Sequence, residues 1–215
     1  MKILNLYACL GGNRYKWDEV TNVEVTAVEY NKEIAEAYQK RFPNDKVIVA
    51  DAHQYLLDHY KEFDFIWSSP PCPSHSQIRL SQKSRDTFTP LYPDMKLYEE
   101  IIFLDNYFKG KYCVENVTPY YEPLIRAKKR GRHLYWTNFN LPSDLGERKL
   151  NGTLCEMKNE YKILEKFHDI KINSDLGGYR NMLRNLVDYE AGKNILKSAL
   201  GVMNCNNKKQ LSLVI

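Results

Sequence analysis

The sequence predicts an α/β fold with a mostly parallel, doubly wound sheet, followed by a small C-terminal part that is rich in helix. The first observation is that short apolar runs of strand type alternate with helical patterns through five strands. That alternation is typical of parallel sheets built with right-handed crossovers. The second observation is that the alternation stops after residue 139, where the chain becomes polar and mixed.

The N-terminal elements are predicted in turn. Residues 2–7 and 23–29 are apolar or alternating and predict the first two strands, with a short helix over residues 15–20 between them. The next helix covers residues 32–41, because apolar side chains recur there at helical spacing and Asn31 is a suitable N-cap. Residues 46–50 predict the third strand, and a helix follows Asp51.

The later elements continue the pattern. Residues 63–67, 111–115 and 133–139 predict three more strands, and residues 97–108 predict a helix. Residues 73–93 are polar and show neither helical nor strand periodicity, which predicts a long loop. Loops of this length are usually functional or mobile. Beyond residue 139, helices are predicted over residues 160–167 and 189–200.

Composition limits the class of protein. The chain has 215 residues, 43% apolar and 27% charged, which is typical of a soluble globular domain. Its apolar runs are far shorter than the roughly 18 residues of a membrane span, and the N-terminus shows no secretory signal, so a cytoplasmic protein is expected. The five cysteines are odd in number and show no Cys-x-x-Cys spacing, so neither a disulfide framework nor a metal site is expected.

The charge distribution suggests a polyanionic partner. Net charge is +4 and the isoelectric point is about 8.6, which allows such a partner without requiring it. One group of basic residues follows Cys72, and a denser group with flanking aromatics covers residues 128–133. Each group is a candidate for phosphate contact, and the alternative for each is an ordinary solvated face.

Chemistry is expected at the carboxyl ends of the strands, where open parallel sheets bind ligands. Residues 7–12, Tyr-Ala-Cys-Leu-Gly-Gly, follow the first strand, and Glu29 and Asp51 end the second and third. A glycine turn with an acid at the end of the second strand suits an adenosyl group. Both acids also suit helix N-termini. The glycines form neither a Gly-x-Gly-x-x-Gly motif nor a P-loop, which disfavours dinucleotides and nucleoside triphosphates.

The next two strands end in further reactive groups. Pro70-Pro71-Cys72 breaks the fourth strand and presents a thiol, and Glu115-Asn116-Val117 ends the fifth. A thiol at a sheet edge is a candidate nucleophile, and the alternative is a proline-stiffened loop with an incidental cysteine. An unpaired buried carboxylate is costly, so Glu115 is hard to explain by structure alone.

The order of these motifs resembles that of the DNA cytosine-5 methyltransferases, in particular their short phage-type branch. The glycine turn matches the family motif Phe-Ala-Gly-x-Gly-Gly, with Cys9 in place of a glycine. Pro71-Cys72 matches the family's nucleophile motif, and residues 115–117 match Glu-Asn-Val. Residues 128–132 correspond to Gln-x-Arg-x-Arg with lysine first, and Asn185 to Val187 correspond to a terminal Asn-x-Val segment.

The resemblance implies a Rossmann-like, S-adenosyl-L-methionine-dependent methyltransferase that acts on double-stranded DNA. It implies that Cys72 attacks C6 of a flipped-out cytosine, that Glu115 contacts N3, and that nearby cations lower the pKa of Cys72. The residues expected at the catalytic centre are Cys72, Glu115, Asn116, Arg130 and Arg132, with His75 as a further nearby cation. Those expected to hold the cofactor are Tyr7, Ala8, Cys9, Gly11, Gly12, Glu29, Tyr30, Asp51, Ala52, Pro70, Asn185 and Val187. Those expected to contact DNA are Ser76, Arg79, Lys83, Arg85 and Lys128.

The resemblance also implies a division of the chain. Residues 1–139 would form the catalytic domain, 140–180 a reduced target-recognition region, and 181–215 a segment that packs back on the catalytic domain. The recognition region is short, so a second subunit is a candidate partner. The implied biological setting is a bacterial cell or phage-infected host, in restriction-modification or phage protection. The alternatives are methylation of an exocyclic amine, and a catalytically weak, methyltransferase-like DNA-binding or regulatory protein.

Overall fold

The computed structural model describes residues 1–82, 88–149, 160–171 and 179–202. Within these residues seven strands form one sheet. The strands are β1 Lys2–Leu6, β2 Glu24–Glu29, β3 Lys46–Val49, β4 Phe65–Ser68, β5 Lys111–Val117, β6 Lys128–Arg130 and β7 His133–Thr137. The helices are α1 Lys32–Arg41, α2 Ala52–His59, α3 Lys96–Tyr107, α4 Glu160–His168, α5 Tyr179–Asn185 and α6 Tyr189–Ala199.

The strand order is β3-β2-β1-β4-β5-β7-β6. The pairs from β3 through to β5 are all parallel, whereas β7 runs antiparallel to both β5 and β6. The chain moves outward from β1 to β3 and then returns to place β4 on the other side of β1. The crevice at the carboxyl ends of β1 and β4 is therefore the topological switch point, where sheets of this kind bind ligands.

Successive side chains of each strand point to opposite faces, and both faces of the central strands are covered. On β1, Leu4 and Leu6 belong to the core that also contains Leu104 of α3, whereas Ile3 packs in the core that contains Ile195 of α6. All five of these leucine and isoleucine side chains are fully buried. Burial on both faces explains why the central strands read as nearly continuous apolar runs.

The predicted α/β fold with a mostly parallel sheet is confirmed. The six predicted strands are all present, and α1 has the predicted bounds, with Asn31 accepting hydrogen bonds from the backbone N–H groups of Glu33 and Ile34. The division into segments at residues 139 and 180 stays a prediction.

Four elements differ from the prediction. The helix predicted over residues 15–20 is only a 3-10 turn, Trp17–Glu19, whose Trp17 indole N–H donates to the carbonyl of Gly192 instead of facing solvent. The sequence analysis missed β6, because an edge strand of three basic residues carries no apolar signal. It also missed α5, and the loop predicted over residues 73–93 contains a 3-10 helix, Gln77–Gln82.

No helix among the described residues is both long and apolar enough to span a membrane. In the same part of the chain, no group of three or more histidine, cysteine, aspartate or glutamate side chains is arranged to hold a metal ion.

Candidate active site

A cavity of about 300 Å³ lies at the carboxyl ends of β1, β4 and β5. It joins the turn after β1 to the cysteine loop after β4 and to the end of β5. Its lining residues are Tyr7, Cys9, Ser69, Pro70, Pro71, Cys72, Pro73, Glu115, Asn116, Val117, Arg132, His133 and Asn185. Seven of the residues expected at the catalytic centre or the cofactor site therefore share one cavity with the thiol of Cys72. They are Tyr7, Cys9, Pro70, Glu115, Asn116, Arg132 and Asn185.

The turn after β1 has an unusual backbone. Tyr7 and Cys9 both have a positive φ, 54° and 47°, and Gly11 has a φ of 68°. The turn is closed by the N–H of Gly11, which donates to the carbonyl of Ala8 at 2.9 Å. Positive φ is uncommon for residues other than glycine, so Cys9 adopts the conformation for which the family motif supplies a glycine.

Both glycines of the turn are required by close contacts. A Cβ atom on Gly11 would lie 2.4 Å from the ring of Phe42, and one on Gly12 would lie 2.5 Å from the carbonyl oxygen of Val187. The second contact places the segment before α6 directly against the turn. Val187 therefore contacts the turn through its backbone carbonyl, which packs on Gly12.

Glu29 is tied to this turn. Its Oε2 atom accepts from the backbone N–H of Cys9 at 3.0 Å, and its Oε1 atom accepts from the N–H of Asn31 at 3.0 Å. Burial and the nearby charge of Glu29 together raise the pKa of the Cys9 thiol to about 12. Cys9 is therefore a neutral thiol at pH 7, and Glu29 holds the shape of the turn. Tyr30 beside it is 79% exposed.

Asp51 is the N-cap of α2, which confirms the interpretation as a helix N-terminal acid. Its Oδ1 atom accepts from the N–H of Gln54 at 2.9 Å, and this hydrogen bond lowers its pKa. Its Oδ2 atom lies 3.6 Å from the Nζ atom of Lys96, and the side chain is about half exposed. The capping hydrogen bond uses only Oδ1, so the Oδ2 atom of Asp51 can still accept a hydrogen bond from a ligand. Ala52 next to it is buried.

The cysteine loop is fixed at both ends. The Nδ2 atom of Asn116 donates to the carbonyl of Pro70 at 2.9 Å, which ties the loop to the end of β5. The carbonyl of Cys72 accepts from the N–H groups of His75 and Ser76, both at 3.0 Å. Ser76 also pairs with Pro119 in an isolated β-bridge. These contacts hold the half-buried Cys72 side chain at the wall of the cavity.

The expectation of a lowered pKa at Cys72 is wrong for this state of the protein. Burial raises the pKa of the thiol, the charge of Glu115 raises it further, and Arg132 opposes these effects without cancelling them. His75 does not help, because burial lowers its own pKa and its Nδ1 atom lies 2.6 Å from the hydroxyl of Tyr121. Cys72 is therefore a protonated thiol at pH 7 in this state.

Arg130 and Lys128 are not brought to the cavity. The guanidinium of Arg130 donates to the carbonyls of Pro142 and Leu141, on the far side of β6. The Nζ atom of Lys128 donates to the carbonyls of Thr137 and Phe139, both at 2.8 Å. Arg130 therefore does not line the cavity in this structure, and its catalytic role stays a prediction. Arg132 does line the cavity, and it also donates to the carbonyl of Arg184 at 3.2 Å.

Two groups at the end of β5 and β7 complete the wall. Glu115 is 6% exposed, and its Oε1 atom lies 3.7 Å from the Nε2 atom of His133. The sequence analysis did not propose His133 as a site residue, although it follows Arg132 directly. Its position next to a predicted site residue was the available signal.

Of the residues expected to contact DNA, Arg79 donates to the carbonyl of Thr89 at 2.7 Å and so closes the loop after Cys72. Lys83 and Arg85 lie outside the described residues, as do Cys155 and Cys205. The contribution of Arg79 to DNA contact stays a prediction.

A buried carboxylate was also missed. Glu100 of α3 is fully buried and accepts hydrogen bonds from the hydroxyls of Tyr7 and Ser68. The available signal was its place on the apolar stripe of the helix, since Leu97, Ile101 and Leu104 recur at helical spacing around it.

Alkylation of Cys72 by iodoacetamide in the absence of DNA is expected to keep increasing above the pH at which an ordinary thiol, with a pKa of about 8.5, is largely ionised. Only the thiolate reacts, and the folded protein raises the pKa of Cys72. The pH midpoint should fall in Glu115→Gln, which removes the charge that raises the pKa, and rise in Arg132→Gln. Mass spectrometry of the Cys72 peptide measures each midpoint. A wild-type midpoint below that of a free cysteine would contradict the raised pKa of Cys72.

Comparison with known proteins supports the fold and the family. Residues 1–106 match the family model described as C-5 cytosine-specific DNA methylase. The methyltransferase EhMeth of Entamoeba histolytica is 10% identical, with a TM-score of 0.57, over 94% of this chain and 98% of that chain. This similarity confirms the methyltransferase fold.

Two further solved structures are similar over part of the chain. A mutant of DNMT2 from Spodoptera frugiperda is 27% identical, with a TM-score of 0.38, over 54% of this chain and 35% of that chain. The methyltransferase yhhF of Escherichia coli is 15% identical, with a TM-score of 0.43, over 63% of this chain and 73% of that chain. No curated protein matches the chain.

The family match covers the turn after β1, both acids that follow β2 and β3, and the Cys72 loop, and it supports a DNA methyltransferase domain. The phage-type branch stays a prediction. Residues 1–106 match the C-5 cytosine-specific DNA methylase family, and this match supports assignment of the chain to that family.

Proposed function

We propose that this DNA methyltransferase transfers a methyl group from S-adenosyl-L-methionine to C5 of a flipped-out cytosine in double-stranded DNA, through a covalent adduct with Cys72. The observation that carries the proposal is that Cys72 and Glu115 line one cavity at the switch point of the sheet. Asn116 holds the cysteine loop against the end of β5, so the thiol and the carboxylate keep a fixed relation.

The residues at the ends of β1, β2 and β3 fit the cofactor. An adenosyl group offers ribose hydroxyls and an adenine amine as donors, and these suit carboxylate acceptors. Each oxygen of Glu29 accepts one backbone N–H and has capacity for another donor, and the Oδ2 atom of Asp51 is free of its capping bond. When bound, S-adenosylmethionine supplies an electrophilic methyl group.

Cys72 would supply what cytosine lacks. C5 of cytosine is a poor nucleophile, and addition of the thiolate to C6 converts the C5–C6 double bond into an enamine whose electrons are available at C5. Glu115 would contact N3 and the exocyclic amine and so stabilise the adduct. After C5 has accepted the methyl group, loss of the C5 proton expels the thiolate and restores the ring.

The charges around the thiol suggest that the substrate completes its activation. In the protein alone Glu115 raises the pKa of Cys72, and Arg132 is the cation that opposes it. A cytosine whose N3 shares a proton with Glu115 would weaken the negative field of that carboxylate. The thiolate would then form mainly with the base in place, which protects the thiol from side reactions.

DNA contact is assigned to the face that surrounds the cavity opening. A base inside a duplex cannot reach a buried thiol, so the cytosine must be flipped out. Ser76, Arg79, Lys83 and Arg85 belong to the loop after Cys72 and would act as a basic lid toward the phosphates. Lys128 would contribute its charge only, since its Nζ atom donates to the carbonyls of Thr137 and Phe139.

Covalent trapping tests the proposal. Incubation with S-adenosylmethionine and duplex DNA that contains 5-fluorocytosine is expected to give a complex that survives denaturation, because fluorine at C5 cannot leave as a proton does. Peptide mapping should place the DNA on Cys72. Methyl transfer to unmodified DNA without any trapped complex would favour the exocyclic amine instead. Cofactor binding with no transfer would favour a regulatory protein.

A further inference from the structure

A fully buried carboxylate on α3 has no part in the chemistry described above. Glu100 is 0% exposed, and three side chains from three other parts of the chain converge on it. The hydroxyl of Tyr7 donates to its Oε1 atom at 2.6 Å, and the hydroxyl of Ser68 donates to its Oε2 atom at 2.5 Å. The Nδ1 atom of His53 lies 3.1 Å from Oε1.

The three partners all adjoin the proposed site. Tyr7 is the first residue of the turn after β1 and lines the cavity. Ser68 is the last residue of β4 and leads into the cysteine loop. His53 follows the Asp51 cap within α2. One carboxylate therefore connects the ends of three strands through three short contacts.

The contact with Tyr7 bears on the shape of the turn. Tyr7 has a φ of 54°, a left-handed conformation that is unfavourable for a large side chain. Such a conformation persists only where surrounding contacts fix it. The hydrogen bond from the Tyr7 hydroxyl to the buried Glu100 side chain anchors the ring whose backbone begins the cofactor turn.

We propose that Glu100 is a positioning residue, which holds the cofactor turn through Tyr7 and the start of the cysteine loop through Ser68 in one fixed relation. This inference rests on the proposed function for the meaning of the two loops. It goes further in assigning a role to a residue that touches neither cofactor nor base. The role is distinct from general stabilisation, because it predicts local effects at two places that can be measured separately.

The chain offers a matched control. Tyr112 is also buried, its hydroxyl also donates to a carboxylate of α3, and the distance to the Oδ1 atom of Asp105 is 3.0 Å. Tyr112 does not line the cavity. Tyr112→Phe therefore removes the same kind of hydrogen bond from the same helix without touching either loop.

Binding of S-adenosylhomocysteine, measured by calorimetry without DNA, tests the cofactor half. Tyr7→Phe keeps the ring and removes only the hydroxyl, and we expect its Kd to rise about five- to tenfold, a cost within the usual net range for one hydrogen bond. Tyr112→Phe should bind as the wild type does, even if its melting temperature falls by the same amount. Equal Kd values for Tyr7→Phe and wild type would overturn the cofactor half.

Alkylation of Cys72 at fixed pH tests the other half and needs neither cofactor nor DNA. Ser68→Ala and Glu100→Gln are expected to change the alkylation rate at least about threefold, because less than 1 kcal/mol of lost restraint suffices for that ratio. Tyr112→Phe should leave the rate unchanged. Unchanged rates in Ser68→Ala would overturn the inference even if Glu100→Gln failed to fold. A wild-type protein that bound no S-adenosylhomocysteine would contradict the proposed function, and the alkylation rates would then decide on Glu100 alone.

Discussion

Replacing Cys72 by serine is expected to lower methylation of cytosine by a factor on the order of 10⁴ or more, as is usual when an enzyme loses its covalent nucleophile. A serine hydroxyl at this position is far less acidic than a thiol and is a weaker nucleophile without an adjacent base. Among the described residues no base lies at hydrogen-bond distance from the Cys72 side chain, and the Nδ1 atom of His75 is already bonded to the hydroxyl of Tyr121. The change replaces the polarisable sulfur by an oxygen and leaves the backbone hydrogen bonds of the loop intact.

The measurement is transfer of labelled methyl groups to duplex DNA, with the protein alone as the source of activity. Cys113→Ser is the matched control, because it makes the same change at a buried cysteine of β5 that does not line the cavity. That control is expected to keep its activity per folded molecule although it loses stability. An unchanged Kd for S-adenosylhomocysteine would show that Cys72→Ser is folded. Activity of Cys72→Ser within tenfold of the wild type would refute the thiol mechanism.

Replacing Asp45 by asparagine is expected to lower the free energy of unfolding by about 3–5 kcal/mol, the usual cost of breaking a buried ion pair. The guanidinium of Arg14 donates to both oxygens of Asp45 at 2.9 Å, and the hydroxyl of Tyr38 donates to Oδ2 at 2.8 Å. The Arg14 and Asp45 side chains are 5% and 3% exposed. Asparagine would keep one acceptor, place an amide donor against another donor, and leave Arg14 without its buried charge partner.

Urea denaturation followed by circular dichroism measures this loss. The control is Asp18→Asn, which removes a second carboxylate from the same arginine. Asp18 lies 2.6 Å from Arg14, but its side chain is 65% exposed, so a loss of only about 0.5 kcal/mol is expected there. Equal losses in the two variants would show that burial does not determine the strength of these pairs.

The central sheet could be predicted because its information is local. The strands β1, β2, β4 and β5 are largely buried on both faces, so each is a short apolar run in the sequence, and a periodic helix follows β2 and β3. The edge strand β6 carries no such apolar signal, since its three residues are all basic. These residues form a strand by pairing with β7. The short turn at Trp17 depends on a bond to Gly192, which no local pattern reveals.

Part of the site could be predicted for the same reason. The ends of parallel strands meet at one edge, so residues that follow strands are brought together whatever their side chains do. The direction of a side chain cannot be predicted in this way, because it depends on partners that lie far along the chain. Arg130 turns to the carbonyls of Leu141 and Pro142, and Glu100 turns inward to Tyr7 and Ser68. The sign of the pKa shift at Cys72 likewise depends on burial and on Glu115.

The packing of α6 against the segment that follows the glycine turn has a consequence for biosynthesis. The bond between the Trp17 indole and the Gly192 carbonyl spans 175 positions, and a Cβ on Gly192 would lie 2.2 Å from the backbone oxygen of Asn13. Neither contact can form before residue 192 has been synthesised. During translation the segment that follows β1 therefore stays uncovered until α6 has left the ribosome. The turn after β1 can take its working shape only after α6 has been made.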